Sequence, residues 1–121
     1  MLLFVYGTLR LGESNHRHLA GGLFRAVAST TAAYELVDMG GYPALLEGGN
    51  TAVQGELYEV DAGHLTLLDA FEDVPLLYDR KTVSVGDVEA ETYIMRPEVA
   101  GDAPRIPSGD WRAHRTRARD R

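Results

Sequence analysis

No cysteine occurs anywhere in the 121 residues. Disulfides, thiol nucleophiles and thiolate metal sites are thereby excluded together. No run of about 18 apolar residues is present either, so no segment reads as a membrane-spanning helix. The opening Met-Leu-Leu-Phe-Val-Tyr-Gly carries no basic leader and no small-residue cleavage site, so it does not read as a signal peptide. A cytoplasmic protein is the expectation. The Gly-x-x-x-x-Gly-Lys spacing of a phosphate-binding loop is missing. The four histidines, His16, His18, His64 and His114, form no cluster with acidic residues at ligand spacing, so no metal site is expected.

Positive charge is scarce except at one end. Residues 105–121 hold six arginines against Asp110 and Asp120, a balance of +4. The other six basic residues face sixteen acidic ones, which leaves −10 on residues 1–104. A basic segment can bind nucleic acid. This one has no aromatic but Trp111, and the acidic body repels phosphate, so neither nucleic acid nor membrane is expected as a partner. The division expected is a domain over residues 1–112, with Trp111 packed against it, and a poorly ordered basic tail over 113–121.

The remaining pattern is mixed α and β. Leu2 to Tyr6 is a short apolar run halted by Gly7, and Asn15 to Leu19 suits one helical turn. Phe24 to Val37, rich in Val, Ala, Thr and Tyr, fits one long strand or a bent pair. Tyr42 to Leu46 and Ala52 to Val60 read as strands around Gly48-Gly49-Asn50. Lys81 to Val85 and Val88 to Met95 flank Gly86-Asp87, a hairpin turn. In the last strand Val88, Ala90, Thr92 and Ile94 share a face. Many strands with tight turns and few short helices predict an α+β protein built on a small mixed β-barrel.

One helix breaks the apolar pattern. Asp61 to Asp73 scans as a short helix with an Asp N-cap. At about 100° per residue Leu67, Phe71, Leu68 and Leu65 sweep out one apolar arc. Glu72 falls inside that arc, while Asp69 and Asp73 fall beside it toward water. A carboxylate on a buried face is costly unless paired or protonated, and its pKa rises. Such carboxylates serve acid-base catalysis near neutral pH. The competing reading has the helix fray before Pro75 and release Glu72 to solvent.

The second unusual segment is Phe4-Val5-Tyr6-Gly7-Thr8-Leu9-Arg10. A strand ending in a glycine turn exposes backbone N–H groups that suit a carboxylate or a developing oxyanion. An ordinary strand-ending turn is the alternative.

These residues together resemble a known family. Tyr6-Gly7-Thr8-Leu9-Arg10 with Gly12 to His16 is similar to the opening of the gamma-glutamylcyclotransferase-like family. Gly41-Tyr42-Pro43-Ala44, Leu68-Asp69-Ala70-Phe71-Glu72, Pro75, Tyr78 and Arg80 follow in that family's order. Ile106, Ser108, Gly109, Asp110 and Trp111 resemble its C-terminal signature. The resemblance is nearest to the gamma-glutamylamine cyclotransferase branch and its small bacterial relatives. It implies a cofactor-independent enzyme whose small-molecule gamma-glutamyl substrate attacks itself, the α-amine closing on the γ-carbonyl to release 5-oxoproline and an amine. It implies Glu72 as the acid-base, and Tyr6, Gly7, Thr8, Leu9 and Tyr78 as substrate-binding residues. The leaving amine would meet loops such as residues 38–50 and the tail.

Other residues carry two readings each. Tyr78 is a pocket hydroxyl or a core aromatic. Tyr93 faces away from the Val88–Ile94 stripe and either closes the pocket or sits at the rim or surface, the second being the expectation. Arg80 is expected to pair with a carboxylate such as Asp73 or Glu56 in preference to touching substrate, and Arg10 reads as an ordinary surface arginine or as one that attracts an anionic substrate. Against the enzyme stand two alternatives: a non-catalytic small-molecule binder or adaptor using the basic tail, and cyclotransfer from a gamma-glutamyl carrier.

Overall fold

Strict alternation in the first strand sets the architecture. β1 (Leu2–Val5) turns Leu3 and Val5 into one apolar cluster, and Phe4 with the following Tyr6 into another. A strand that buries both faces must sit in the middle of a sheet covered on both sides. The computed structural model describes residues 1–119 and places β1 in that position. Residues 120 and 121, the end of the expected basic tail, lie outside the described residues.

Six further strands complete the sheet: β2 (Leu23–Ser29), β3 (Tyr34–Asp38), β4 (Pro43–Glu47), β5 (Gln54–Glu59), β6 (Tyr78–Val85) and β7 (Val88–Met95). The order is β2-β5-β1-β7-β4-β3, with β6 also paired to β7. The segment 24–37 is therefore a pair of strands. β6 begins at Tyr78, three residues before the first strand residue read from the sequence. The Gly86-Asp87 hairpin forms as expected, with Gly86 at a φ of 59°.

The α+β class holds, but the sheet is not closed into a barrel. β6 pairs along the whole of β7, while β1 meets β7 in parallel at Glu91 and β4 meets it in parallel at Ile94. The β4–β3 pair therefore branches from the sheet instead of continuing a ring. One isolated bridge, Thr30 to Val85, spans from the end of β2 toward β6.

Helices cover both faces. α1 (Ala62–Phe71) buries Leu65 and Leu68 against Leu3, Val5, Tyr93 and Met95. On the other side Trp111, first residue of α3 (Trp111–Arg119), joins Phe4, Leu36, Ile94 and Ile106. Residues 113–119, assigned above to a loose tail, thus continue α3. The single-turn α2 (Pro97–Ala100) follows β7, and residues 16–19 form one 3-10 turn. Among the described residues no helix is long and apolar enough to cross a membrane.

Candidate active site

Helix α1 is fixed at both ends, and Glu72 stands at the second. The Asp61 side chain accepts a hydrogen bond from the His64 amide at 2.7 Å, the N-cap read from the sequence. At the other end the Val74 amide donates to Asp69 O (3.0 Å) and the Asp73 amide to Ala70 O (3.2 Å). With Asp73 at a φ of 59°, this is a Schellman termination carrying aspartate where glycine is usual. The helix does not fray before Pro75. Glu72 is its C-cap, its own amide donating to Leu68 O at 2.8 Å.

The buried face of α1 differs from the expected arc. Leu67 is 72% exposed and Phe71 is also exposed, whereas Leu65 and Leu68 are buried. At 100° per residue, Glu72 lies between those two leucines and Asp69 lies on the flank. A face centred on Glu72 therefore turns Asp69 toward the sheet, not toward water. Asp69 Oδ1 accepts hydrogen bonds from Tyr93 OH (2.8 Å) and Arg80 Nε (2.9 Å). Arg80 also donates to Glu91 Oε1 at 3.1 Å. Arg80 thus pairs with Asp69 and Glu91 rather than with Asp73 or Glu56. Tyr93 is 3% exposed, not a surface residue, and its bond to Asp69 ties the last turn of α1 to β7.

Arg10 is likewise buried rather than on the surface. Its Nε donates to Glu56 Oε2 at 3.1 Å, and the same carboxylate accepts from the Leu11 amide (2.8 Å) and Tyr58 OH (2.9 Å). This buried set fixes the chain just after the Tyr6–Arg10 turn.

A cavity of about 310 Å³ opens where α1 approaches that turn. Tyr6, Gly7, Thr8, Leu9, Glu72 and Tyr78, separated by up to 72 positions in the chain, all line it. Among the described residues Glu72 is the one charged side chain in the lining. Burial pushes its carboxyl up to about 7. Burial, and then the neighbouring Glu72 charge, raise the Tyr78 hydroxyl. Burial raises Tyr6 and Tyr93 as well, so all three phenols are neutral donors at physiological pH. The Tyr6 hydroxyl already donates to the Tyr93 carbonyl oxygen at 2.7 Å, so its proton is committed within the protein.

The turn itself is held by Arg10 N donating to Gly7 O (3.0 Å) and Asn15 N donating to Thr8 O (2.9 Å). Neither bond uses the amides of Gly7, Thr8 or Leu9. Asn15 Nδ2 also donates to Thr8 Oγ1 at 3.0 Å. Asn15, Tyr42, Pro43 and Phe71 line the cavity too. Of these, Asn15 carries no site role in the sequence reading, where it falls in the Gly12–His16 stretch and starts a helical turn. Its signal was the polar Ser14-Asn15 pair directly after a glycine-bearing loop. Among the described residues no group of three or more His, Asp or Glu side chains is arranged to hold a metal ion.

The fold and site together define an α+β protein with a single-carboxylate cavity at the end of a central strand. Comparison places it more narrowly. Residues 3–113 match the family described as gamma-glutamyl cyclotransferase, AIG2-like, and the chain belongs to that family. It is 44% identical over 110 residues to a family member from Vibrio cholerae, covering 91% of this chain and 94% of that one. It is 44% identical over 93 residues to the human gamma-glutamylaminecyclotransferase, covering 69% of this chain but 61% of the human protein. The chain thus spans less than two thirds of that longer relative. The crystal structure of a mouse AIG2-like protein superposes with a TM-score of 0.76 at 33% identity, over 90% of this chain and 87% of that one.

Proposed function

We propose that the protein is a gamma-glutamylcyclotransferase in which Glu72 moves the protons. One observation carries the reading: among the described residues Glu72 is the sole charged group lining the cavity, and burial holds its carboxyl at about 7. A carboxylate with that pKa is divided between its two protonation states at neutral pH, which is the condition for serving as base and then as acid.

The substrate's α-nitrogen enters as an ammonium and cannot attack until it loses a proton. Ionised Glu72 takes that proton. The amine nitrogen then bonds to the γ-carbonyl carbon, whose oxygen becomes an oxyanion. Collapse breaks the bond to the leaving nitrogen and yields the five-membered lactam. Two protons pass in all from the α-nitrogen to the leaving nitrogen, and Glu72 carries them one at a time, ending as it began.

No protein nucleophile is needed, because attacking and attacked atoms belong to one molecule. Holding that molecule folded supplies much of the rate. The amides of Gly7, Thr8 and Leu9, unused by the turn's own hydrogen bonds, suit the substrate α-carboxylate or the oxyanion. The Tyr78 hydroxyl, kept neutral by burial, suits a donor to the same charge. The adaptor alternative called on the basic tail, and Arg115 of that tail, like Arg112 just before it, is bonded to Glu13.

A panel of gamma-glutamyl amides assayed for 5-oxoproline tests the reading. Release from at least one member, without added metal or cofactor, is expected. Failure of the folded protein to release 5-oxoproline from any of them would overturn it.

A further inference from the structure

The C-terminal helix contributes no residue to the cavity lining, yet it grips both loops that wall it. One wall comes from residues 8–15, which contribute Thr8, Leu9, Ser14 and Asn15. The other comes from residues 39–42 before β4, which contribute Gly41 and Tyr42. Glu13 lies in the first loop with its side chain 7% exposed. Arg115 holds it with two donors, at 2.6 and 3.0 Å, and Arg112 Nε adds a third bond at 2.9 Å. Arg112 also donates to the Leu11 carbonyl oxygen. At the base of the second loop, His114 Nε2 meets Asp38 Oδ2 at 2.8 Å, and Asp38 Oδ1 accepts from the Gly40 amide at 2.8 Å. Buried Trp111, with the Arg115 guanidinium 5.9 Å from its ring, anchors the helix on the sheet.

Three adjacent features of one short helix therefore converge on two separated loops. Partly buried two-donor guanidinium–carboxylate contacts fix geometry better than exposed pairs do. Arg112 also lies 3.9 Å from Glu56 and Arg10 lies 3.9 Å from Asp110, so the pair on Glu13 is tied into the buried set that fixes the chain after the Tyr6–Arg10 turn. The arrangement suits a clasp whose product is loop position.

We infer that α3 is a positioning element for substrate binding: Arg112, Arg115 and His114 set the spacing of the 8–15 and 39–42 loops through Glu13 and Asp38. This rests on the cyclotransferase reading for its kinetic consequence, though not for its structural one. Glu72 stands on α1, which α3 does not hold. Loosening the clasp should therefore weaken binding while leaving the proton-transfer group untouched.

The test uses the full chain with Arg112→Gln and Arg115→Gln combined, beside the Arg112→Lys and Arg115→Lys combination. Amide hydrogen exchange is followed across the chain, and steady-state kinetics are measured with a gamma-glutamyl anilide. The Gln variant should exchange faster at residues 8–15 and 39–42, with the β1, β5 and β7 amides unchanged. Its KM should rise about tenfold or more, with kcat and the acid limb of its pH profile little altered. The Lys variant should recover part of the loss, since it keeps charge but not the fork. Unchanged loop exchange in a folded Gln variant, or a fall in kcat at constant KM, would overturn the inference. Should the double Gln variant not fold, Arg115→Gln alone, which leaves Arg112 on Glu13, decides by the same two readouts. If the wild-type chain releases no 5-oxoproline, the function reading fails, and loop exchange still decides the role of α3.

Discussion

Gly7 and Pro43 are in direct contact: a β-carbon on residue 7 would sit 2.6 Å from Cγ of Pro43 and 2.8 Å from Cδ. The glycine is required by this neighbour rather than by its backbone angle, since its φ is not positive. The contact also joins the Tyr6–Arg10 turn to the Gly41–Ala44 segment, two motifs far apart in sequence that form adjoining walls of the cavity.

Gly7→Ala should therefore push the turn from β4. A proline ring cannot swing aside as a flexible side chain would. The overpacking should cost about 1–3 kcal/mol of stability, read by urea unfolding. The folded fraction should also show a lower kcat/KM for a gamma-glutamyl amide. Unchanged stability together with unchanged kinetics would mean that the turn has slack.

Glu72→Gln keeps the shape of the side chain and removes its proton chemistry. Release of 5-oxoproline should fall about 10²–10⁴-fold in kcat, the usual range for a general acid-base. Far-ultraviolet circular dichroism and thermal unfolding should show an intact fold, because the backbone of residue 72 is set by the Schellman bonds around it and not by its side chain. Near-wild-type turnover in this variant would remove Glu72 from the mechanism.

The same carboxylate predicts how pH acts, with opposite signs for activity and stability. Activity needs the ionised form to take the first proton, so kcat/KM should rise with pH and reach half its limit near 7, where the Glu72 carboxyl is held. For stability, the pKa in the folded state lies above the ordinary value of 4.5. The folded state then binds the extra proton between 4.5 and about 7, so Glu72 increasingly destabilises the fold as pH rises through that window. Above about 7 the penalty is complete and constant. Glu72→Gln, which never ionises, should therefore gain stability relative to wild type from pH 5 to pH 8. The ceiling is about 3 kcal/mol, reduced because the half-buried side chain keeps some water contact. Urea midpoints at the two pH values measure it, and an equal difference at both would show that residue 72 does not titrate with folding.

How much of this was legible beforehand follows from which signals are local. Strand positions, the Asp61 cap and the Gly86 hairpin depend on neighbouring residues, and they were read correctly. Glu72 stands out because a charge on an apolar stripe is visible in one dimension. The width of that stripe was misjudged because Leu67 and Phe71 are as apolar as Leu65, and only the placement of α1 on the sheet decides which leucines it covers. Partners of Arg80 and Arg10 were missed for a related reason. Each sits opposite a carboxylate brought near only by the fold, Arg80 beside Asp69 through the packing of α1 on the sheet and Arg10 beside Glu56 through the pairing of β1 with β5, and composition offers many equivalent candidates. The barrel expectation failed on the sharing of one edge of β7 by β1 and β4, a topological fact that strand count does not carry. The C-terminal helix was hidden by its charge: a run of arginines reads as solvated until Glu13 is seen to face it.

Asp73 offers a test of how Glu72 is held. It occupies the left-handed region at a φ of 59°, where a β-carbon is normally disfavoured, and its amide and that of Val74 close α1 on the Ala70 and Asp69 carbonyl oxygens. Aspartate tolerates that region better than most residues, and glycine tolerates it best. Asp73→Gly should keep the helix end, with a change of at most about 1 kcal/mol in either direction, since relief of strain is offset by a freer unfolded chain. Asp73→Val places a branched side chain at the same angle and should cost about 1–2 kcal/mol or more. Because the displaced residue adjoins Glu72, the Val variant should also lose kcat with a shifted acid limb, whereas the Gly variant keeps both. Thermal unfolding and kcat–pH profiles of the two variants measure this. A Val variant with an unchanged acid limb would show that the environment of Glu72 is set by the cavity walls alone and not by the way α1 ends.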